Sequence, residues 1–251
     1  MGATVIALTG KGGVGKTSIS AATVRILAER HPEAKILAID ADPAVGLSTA
    51  LGVTVKETLD DIRLRVANDV TGNLQNTEDI LAEARFRLFE AMEEQNGFAF
   101  LAIGRPEAEG CYCAINTYLR NVIGVLVDDF DYVVIDGEAG IEQINRRVLD
   151  KVTNLLLISD QSKKGLQILG TIKDVSDKMM MCDRAGVIVN RAVAPEKIDF
   201  TDIHGAPVLN VIGTDSVLAE MDMDGKSIFE IPTDTPLLQG VAKALETMEI
   251  L

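Results

Sequence analysis

The sequence predicts an α/β protein: a mostly parallel sheet with helices on both faces. Three observations carry this. Short apolar runs rich in β-branched residues recur along the 251 residues and alternate with segments of helical periodicity. The runs are continuously apolar rather than alternating, which marks strands buried on both faces. The first run opens into a glycine-rich loop and a helix, as Gly10-Lys-Gly-Gly-Val-Gly-Lys-Thr17. With 47% hydrophobic residues the chain can bury a sizeable core, and neither a low-complexity linker nor a repeat divides it. One domain over residues 1–251 is expected.

The elements follow in order. Thr4 to Thr9 is the first strand. Ser18 to Arg30 is a helix, with Ile19, Ala22, Ile26 and Leu27 at helical spacing before His31-Pro32 ends it. Ala34 to Asp40 is the second strand. Lys56 to Ala67 and Thr77 to Glu94 read as helices, and Phe98 to Ile103 as the third strand. Ala114 to Val127 is a helix with Ile115, Leu119, Val122, Ile123 and Leu126 on one face. Tyr132–Ile135, Leu155–Ile158, Gly186–Val189 and Val208–Ile212 complete the strands. The acidic tail from Val241 to Leu251 reads as a terminal helix packed on the sheet.

Gly10 to Thr17 fits G-x-x-x-x-G-K-[ST], and its place between strand and helix is the one the motif requires. Glycines let successive N–H groups converge on phosphate, and the helix N-terminus adds partial positive charge. Gly10, Lys11, Gly12, Gly13, Val14, Gly15, Lys16, Thr17 and Ser18 are therefore the expected phosphate-binding set of a P-loop NTPase. Lys16 is expected to bridge the β- and γ-phosphates, and the Thr17 hydroxyl to ligate Mg²⁺. Ligands sit at the C-terminal ends of parallel strands. Asp136, directly after Tyr132–Ile135, is placed to hold Mg²⁺ through water, or else to start a turn. Asp40 and Asp42 lie in Asp40-Ala-Asp-Pro43; Asp40 sits at the strand end, where it can accept from Mg²⁺-bound water or shape the turn.

Lys11 comes too early in the loop to repeat the job of Lys16. Lys11-Gly-Gly-Val-Gly-Lys-Thr17 resembles the deviant Walker A of the MinD/ParA/nitrogenase-iron-protein class. The resemblance implies a nucleotide-gated homodimer in which Lys11 reaches the partner's nucleotide, so that hydrolysis of ATP to ADP and phosphate depends on dimerisation. It further implies that Asp42, before Pro43, orients or activates the attacking water. Gly137-Glu-Ala-Gly140 resembles switch II, with Gly140 sensing the γ-phosphate. Asn190-Arg191 resembles the strand end that contacts adenine, and Ile212-Gly-Thr-Asp215 the loop that closes over the base. Gly213 stands where that loop usually has proline.

The remaining chemistry lies in Gly104-Arg-Pro-Glu-Ala-Glu-Gly-Cys111-Tyr-Cys113. Two thiolates suit zinc, Ni²⁺, Cu(I) or iron–sulfur, but two ligands are too few for a closed site. A symmetric dimer would bring four together. The residues alone fit two half-buried core cysteines equally well. Cys182, the third cysteine, reads as core. Gly-Arg-Pro-Glu followed by Cys-x-Cys is similar to the CooC/AcsF group of nickel-insertion ATPases, which mature carbon monoxide dehydrogenase or acetyl-CoA synthase. That resemblance implies one Ni²⁺ or Zn²⁺ held by Cys111 and Cys113 of two subunits, and a client nickel enzyme as partner. A [4Fe–4S] cluster on four such thiolates is the alternative, as in an electron-transfer ATPase resembling the nitrogenase iron protein, although no cysteine lies near Asp136 to Ile144.

A formal net charge of −14 opposes binding to DNA or anionic lipid. It argues against a ParA- or MinD-like positioning ATPase, nucleic-acid partners and stable membrane association. Three cysteines and no apolar leader lead to the expectation of a reducing cytoplasm.

Overall fold

The computed structural model describes residues 2–42, 45–72, 86–104, 121–137, 148–149, 151–198 and 200–251. Among these residues nine strands form one sheet in the order β3-β4-β2-β5-β1-β6-β7-β9-β8. Seven are mutually parallel: β4 (Phe98–Ala102), β2 (Ile36–Asp40), β5 (Tyr132–Asp136), β1 (Thr4–Gly10), β6 (Val152–Ser159), β7 (Cys182–Ala192) and β9 (Ala206–Gly213). They are the seven strands read from the apolar runs. The two short strands at the edges, β3 (Glu93–Gln95) and β8 (Asp202–Ile203), are antiparallel to their neighbours.

Side chains along a strand alternate between faces, so continuous apolar runs feed two cores. Val5, Ala7, Leu37, Ile39, Val133 and Ile135 face one core; Ile6, Leu8, Ile36, Ala38 and Val134 face the other. The first is covered by α3 (Leu59–Gly72), helical residues 86–91 and 121–127, and α4 (Lys163–Lys178). The second is covered by α1 (Lys16–Arg30), α2 (Gly46–Leu51), α5 (Ser216–Asp224) and α6 (Pro236–Thr247). The acidic tail is thus helical and docked, with Val241, Ala244 and Leu245 fully buried.

The helix expected over Thr77 to Glu94 does not reach Glu94. Its described part ends at residue 91, and Glu93–Gln95 turns back along β4 as a hairpin. Asn96 (φ 50°) and Gly97 (φ 81°) both take the left-handed conformation of a two-residue hairpin turn. The Asn-Gly pair is the signal for that turn, and it outweighs the helical pattern before it. The first half of the helix expected over Ala114 to Val127 lies outside the described residues; 121–127 are helical. Cys182 is half-buried against the first core, its Sγ 3.2 Å from Ser176 Oγ.

Arg25 fastens α1 to the chain beyond α5. It is 5% exposed, and its guanidinium donates to the carbonyls of Ile228 (2.6 Å) and Ile231 (2.8 Å) and to Glu29 Oε1 (2.7 Å). Arg25→Met preserves the apolar stem but takes the guanidinium from the Ile231 carbonyl and leaves that of Ile228 only a long bond from Ile231 N (3.5 Å). It is expected to cost about 2–4 kcal/mol in urea denaturation; a loss below about 0.5 kcal/mol would show the contacts to be dispensable.

Candidate functional site

The site is assembled at one edge of the sheet because parallel strands present their C-terminal ends together. β1 ends at Gly10, which has φ 147°; a Cβ there would lie 1.9 Å from the Ile158 carbonyl oxygen of β6. Only glycine fits where the chain leaves β1 against its neighbour. The loop then closes through Gly15 (φ 88°) at the N-cap of α1. Ser162, Asp215 and Thr235 cap α4, α5 and α6 with their side chains. α1 begins at a residue with no side chain, and its first turn holds no acid. A helix start of this kind suits an anionic ligand. Lys16 Nζ lies over the loop, 3.3 Å from the Lys11 carbonyl and 3.5 Å from that of Gly10.

Asp40 and Asp136 are direct neighbours in the β2–β5 register and are almost wholly buried. Burial pushes the Asp40 carboxyl up to about 7, aided by the adjacent Asp136 charge, while backbone N–H groups of Leu47 and Asp42 oppose the shift. Burial likewise raises Asp136 to about 6, against stabilisation from the Thr17 and Ser20 hydroxyls and the Lys16 charge. Asp40 accepts from Asp42 N (3.1 Å) and Leu47 N (2.8 Å), so both its oxygens hold the entry to α2. Asp136 Oδ1 accepts from Ser20 Oγ at 2.8 Å, while its buried Oδ2 has no hydrogen-bond partner among the described residues. A buried carboxylate oxygen left bare beside Thr17 is a donor set that fits a hard divalent cation such as Mg²⁺. Asp42 is half-buried beside this pair, close enough for its charge to raise both carboxyls.

Lys11 has a partner within its own chain. Its Nζ lies 2.5 Å from Asp160 Oδ2 and 3.5 Å from Ser162 Oγ. Partial burial works against ionisation of Asp160, but hydrogen bonds from Lys11 and Ser162 outweigh it and hold the carboxyl below its usual range. Asn190 and Arg191, at the end of β7, also meet the loop: Asn190 Nδ2 donates to Val14 O at 2.8 Å and Arg191 to Gly13 O at 3.1 Å. Asp215, read as part of a base-closing loop, joins two helices: Oδ1 accepts from Leu218 N and Oδ2 from Leu237 N, each at 3.1 Å.

The fold thus brings Lys11, Lys16, Thr17, Ser18, Asp40, Asp42, Asp136, Asn190 and Arg191 to one edge. Gly140, Cys111 and Cys113 lie outside the described residues. Sequence reasoning missed Ser20, one turn beyond Thr17 on the buried face of α1. It also missed Asp160 and Ser162. The rule that singled out Asp40 and Asp136, a carboxylate closing an apolar parallel strand, applies equally to Asp160 after Leu155–Ser159.

A parallel sheet with a glycine loop feeding an uncapped helix, beside two buried carboxylates, defines a nucleotide-binding P-loop domain. Residues 5–228 match the CobQ/CobB/MinD/ParA nucleotide binding domain family, and the chain belongs to it. It is 32% identical over 251 residues to an uncharacterised ATP-binding protein of Methanocaldococcus jannaschii, covering 96% of this chain and 97% of that one. It is 27% identical to the carbon monoxide dehydrogenase accessory protein CooC of Rhodospirillum rubrum, over 96% and 94% of the two chains. In fold it resembles the cell division ATPase MinD of Pyrococcus furiosus, with a TM-score of 0.73 at 22% identity over 99% of each chain. No helix among the described residues is long and apolar enough to cross a membrane.

The raised carboxyls set a pH dependence. A group bound to its proton more tightly in the folded state contributes stability below its unfolded pKa and loses it as pH rises through the folded value. For Asp136 and Asp40 that window runs from about pH 4 to about pH 7. Asp136→Asn is expected to stabilise the nucleotide-free protein by on the order of 2 kcal/mol at pH 8 and far less at pH 4. Thermal melts at both pH values check this; a difference independent of pH would contradict it.

Proposed function

We propose that this chain is an ATP-dependent nickel-insertion ATPase that matures carbon monoxide dehydrogenase or acetyl-CoA synthase. In this reading Ni²⁺ is cargo, and two copies bind it through Cys111 and Cys113. The observation that carries the reading is where the Cys-x-Cys segment begins. Gly104 follows β4, and Ile103 N donates to the Asp40 carbonyl at 2.8 Å. The cysteine-bearing stretch therefore departs from the same sheet edge as the phosphate loop. The likeness to CooC over nearly the whole chain supports the same assignment.

In the proposed mechanism the Gly10–Ser18 loop and the α1 N-terminus hold the phosphates of ATP, and Lys16 bears on the terminal ones. Thr17 and Asp136, with Asp40 beside them, would hold Mg²⁺, which neutralises phosphate charge. The MinD of Pyrococcus horikoshii, similar in fold at 23% identity, was solved with Mg-ADP. Asp42 orients the attacking water, Gly140 senses the γ-phosphate, and Asn190 and Arg191 border the base end. Lys11 leaves Asp160 to reach the nucleotide of the second copy, where a cation stabilises charge on the transferred phosphoryl group. Dimerisation follows ATP and alters the separation of the two cysteine pairs, and with it metal affinity.

Lys11 must exchange one partner for another on dimerisation, so weakening the first favours the second. Asp160→Asn is expected to strengthen ATP-dependent self-association by up to about fivefold, the range of a partly exposed ion pair. Analytical ultracentrifugation with ATP and Mg²⁺ reads this, and weaker association would show that Asp160 supports the dimer instead.

The function is tested by anaerobic Ni²⁺ titration of metal-stripped protein without nucleotide, with ADP, and with ATP and Mg²⁺. Sulfur-to-nickel absorbance and native mass are followed together. The expected result is about one nickel per two chains, with an affinity that changes with nucleotide and is lost in Cys111→Ala/Cys113→Ala. Nickel binding that ignores the cysteines would overturn the nickel assignment. Cysteine-dependent zinc unaffected by nucleotide would mark a structural site, and brown anaerobic protein an iron–sulfur one.

A further inference from the structure

We infer that Asn190 and Arg191 act on nucleotide binding through the phosphate loop, as positioning residues that fix the orientation of two of its peptide planes. The inference rests on the nucleotide-binding reading and is separate from the metal.

Successive side chains of a strand point to opposite faces, so adjacent residues do not ordinarily meet one loop. Here they do. The pairing of β7 with β9 shifts between Val189 and Ala192, and Arg191 takes φ 55°. This bulge re-aims the strand end. Asn190 Nδ2 then donates to Val14 O at 2.8 Å, and Arg191 Nη1 to Gly13 O at 3.1 Å. Asn190 is 3% exposed and Val14 is 2% exposed, so the first contact is shielded from water.

A trans peptide points its C=O and N–H in opposite directions. Holding the Gly13 and Val14 carbonyls against β7 therefore directs the N–H groups of Val14 and Gly15 away from it, across the loop. This matters most at these positions. Gly13 (φ 76°) and Gly15 (φ 88°) flank Val14, and glycine lets a peptide plane rotate at little steric cost. An unrestrained plane could present a carbonyl to phosphate and repel it. A Cβ on Gly15 would lie 2.7 Å from Asn190 Nδ2, so the glycine is also what lets the amide approach. The base end of the site thereby sets the geometry of its phosphate end.

The distinguishing probe is a ligand with phosphates and no base. Calorimetric titrations of ATP, GTP and tripolyphosphate, each with Mg²⁺, compare wild type with Asn190→Ala and Arg191→Met. Each variant is expected to weaken all three ligands by about threefold to tenfold, the worth of a hydrogen bond. The ratio of ATP to GTP affinity should stay within about twofold of wild type, because the base is not what the contacts address. Loss confined to ATP, with tripolyphosphate binding intact, would overturn the inference and assign the pair to base reading. Arg191 is exposed, so Arg191→Met carries the test even where Asn190→Ala fails to fold. A wild type that binds neither nucleotide nor tripolyphosphate would overturn the nucleotide reading itself, an outcome distinct from a change in ligand preference among the variants.

Discussion

Two carboxylates buried side by side are the constraint around which this site is built. Asp40 and Asp136 sit in register on adjacent parallel strands, and their burial raises both above the ordinary carboxylate range. A fold selected for stability alone would put apolar residues there, as it does at nearly every other position of β2 and β5. The surroundings answer the charge only in part. Asp40 is held by two backbone N–H groups at the entry to α2, whereas one oxygen of Asp136 has no hydrogen-bond partner among the described residues. The shortfall faces Thr17 and Lys16, where a nucleotide-bound cation would supply what the protein withholds.

The same economy of partners governs the lysines. Lys16 lies over loop carbonyls, and Lys11 is turned aside to Asp160 and Ser162, which cap and precede α4. The strands next to β1 thus supply a carboxylate each way along the sheet: Asp136 from β5 on one side, Asp160 just beyond β6 on the other. The phosphate loop lies between the two, its cations available to a stronger anion.

Much of this is legible in the amino-acid sequence. Continuous apolar runs gave away the parallel strands, because a strand covered on both faces has no polar side to show. The glycine loop is readable as a contiguous motif, and the strand-end aspartates because each closes an apolar run. Local competition hid other features. The helical pattern before Glu94 masked β3, and an Asn-Gly turn decided the matter. Asp160 is marked by the same strand-end rule as Asp136, but its pairing with Lys11, 149 positions away in the chain, is visible only in the fold.

The sequence by itself determined the layered α/β class, the membership of a nucleotide-binding family and which residue types stand at the strand ends, since each is written in local pattern or contiguous motif. Only the tertiary structure decided who faces whom. Strand order made Asp40 and Asp136 neighbours, a bulge turned Asn190 and Arg191 onto Gly13 and Val14, and the exit of β6 gave Lys11 its partner. Such contacts are set by register and by the path of the backbone between distant segments, and no short stretch of sequence encodes either.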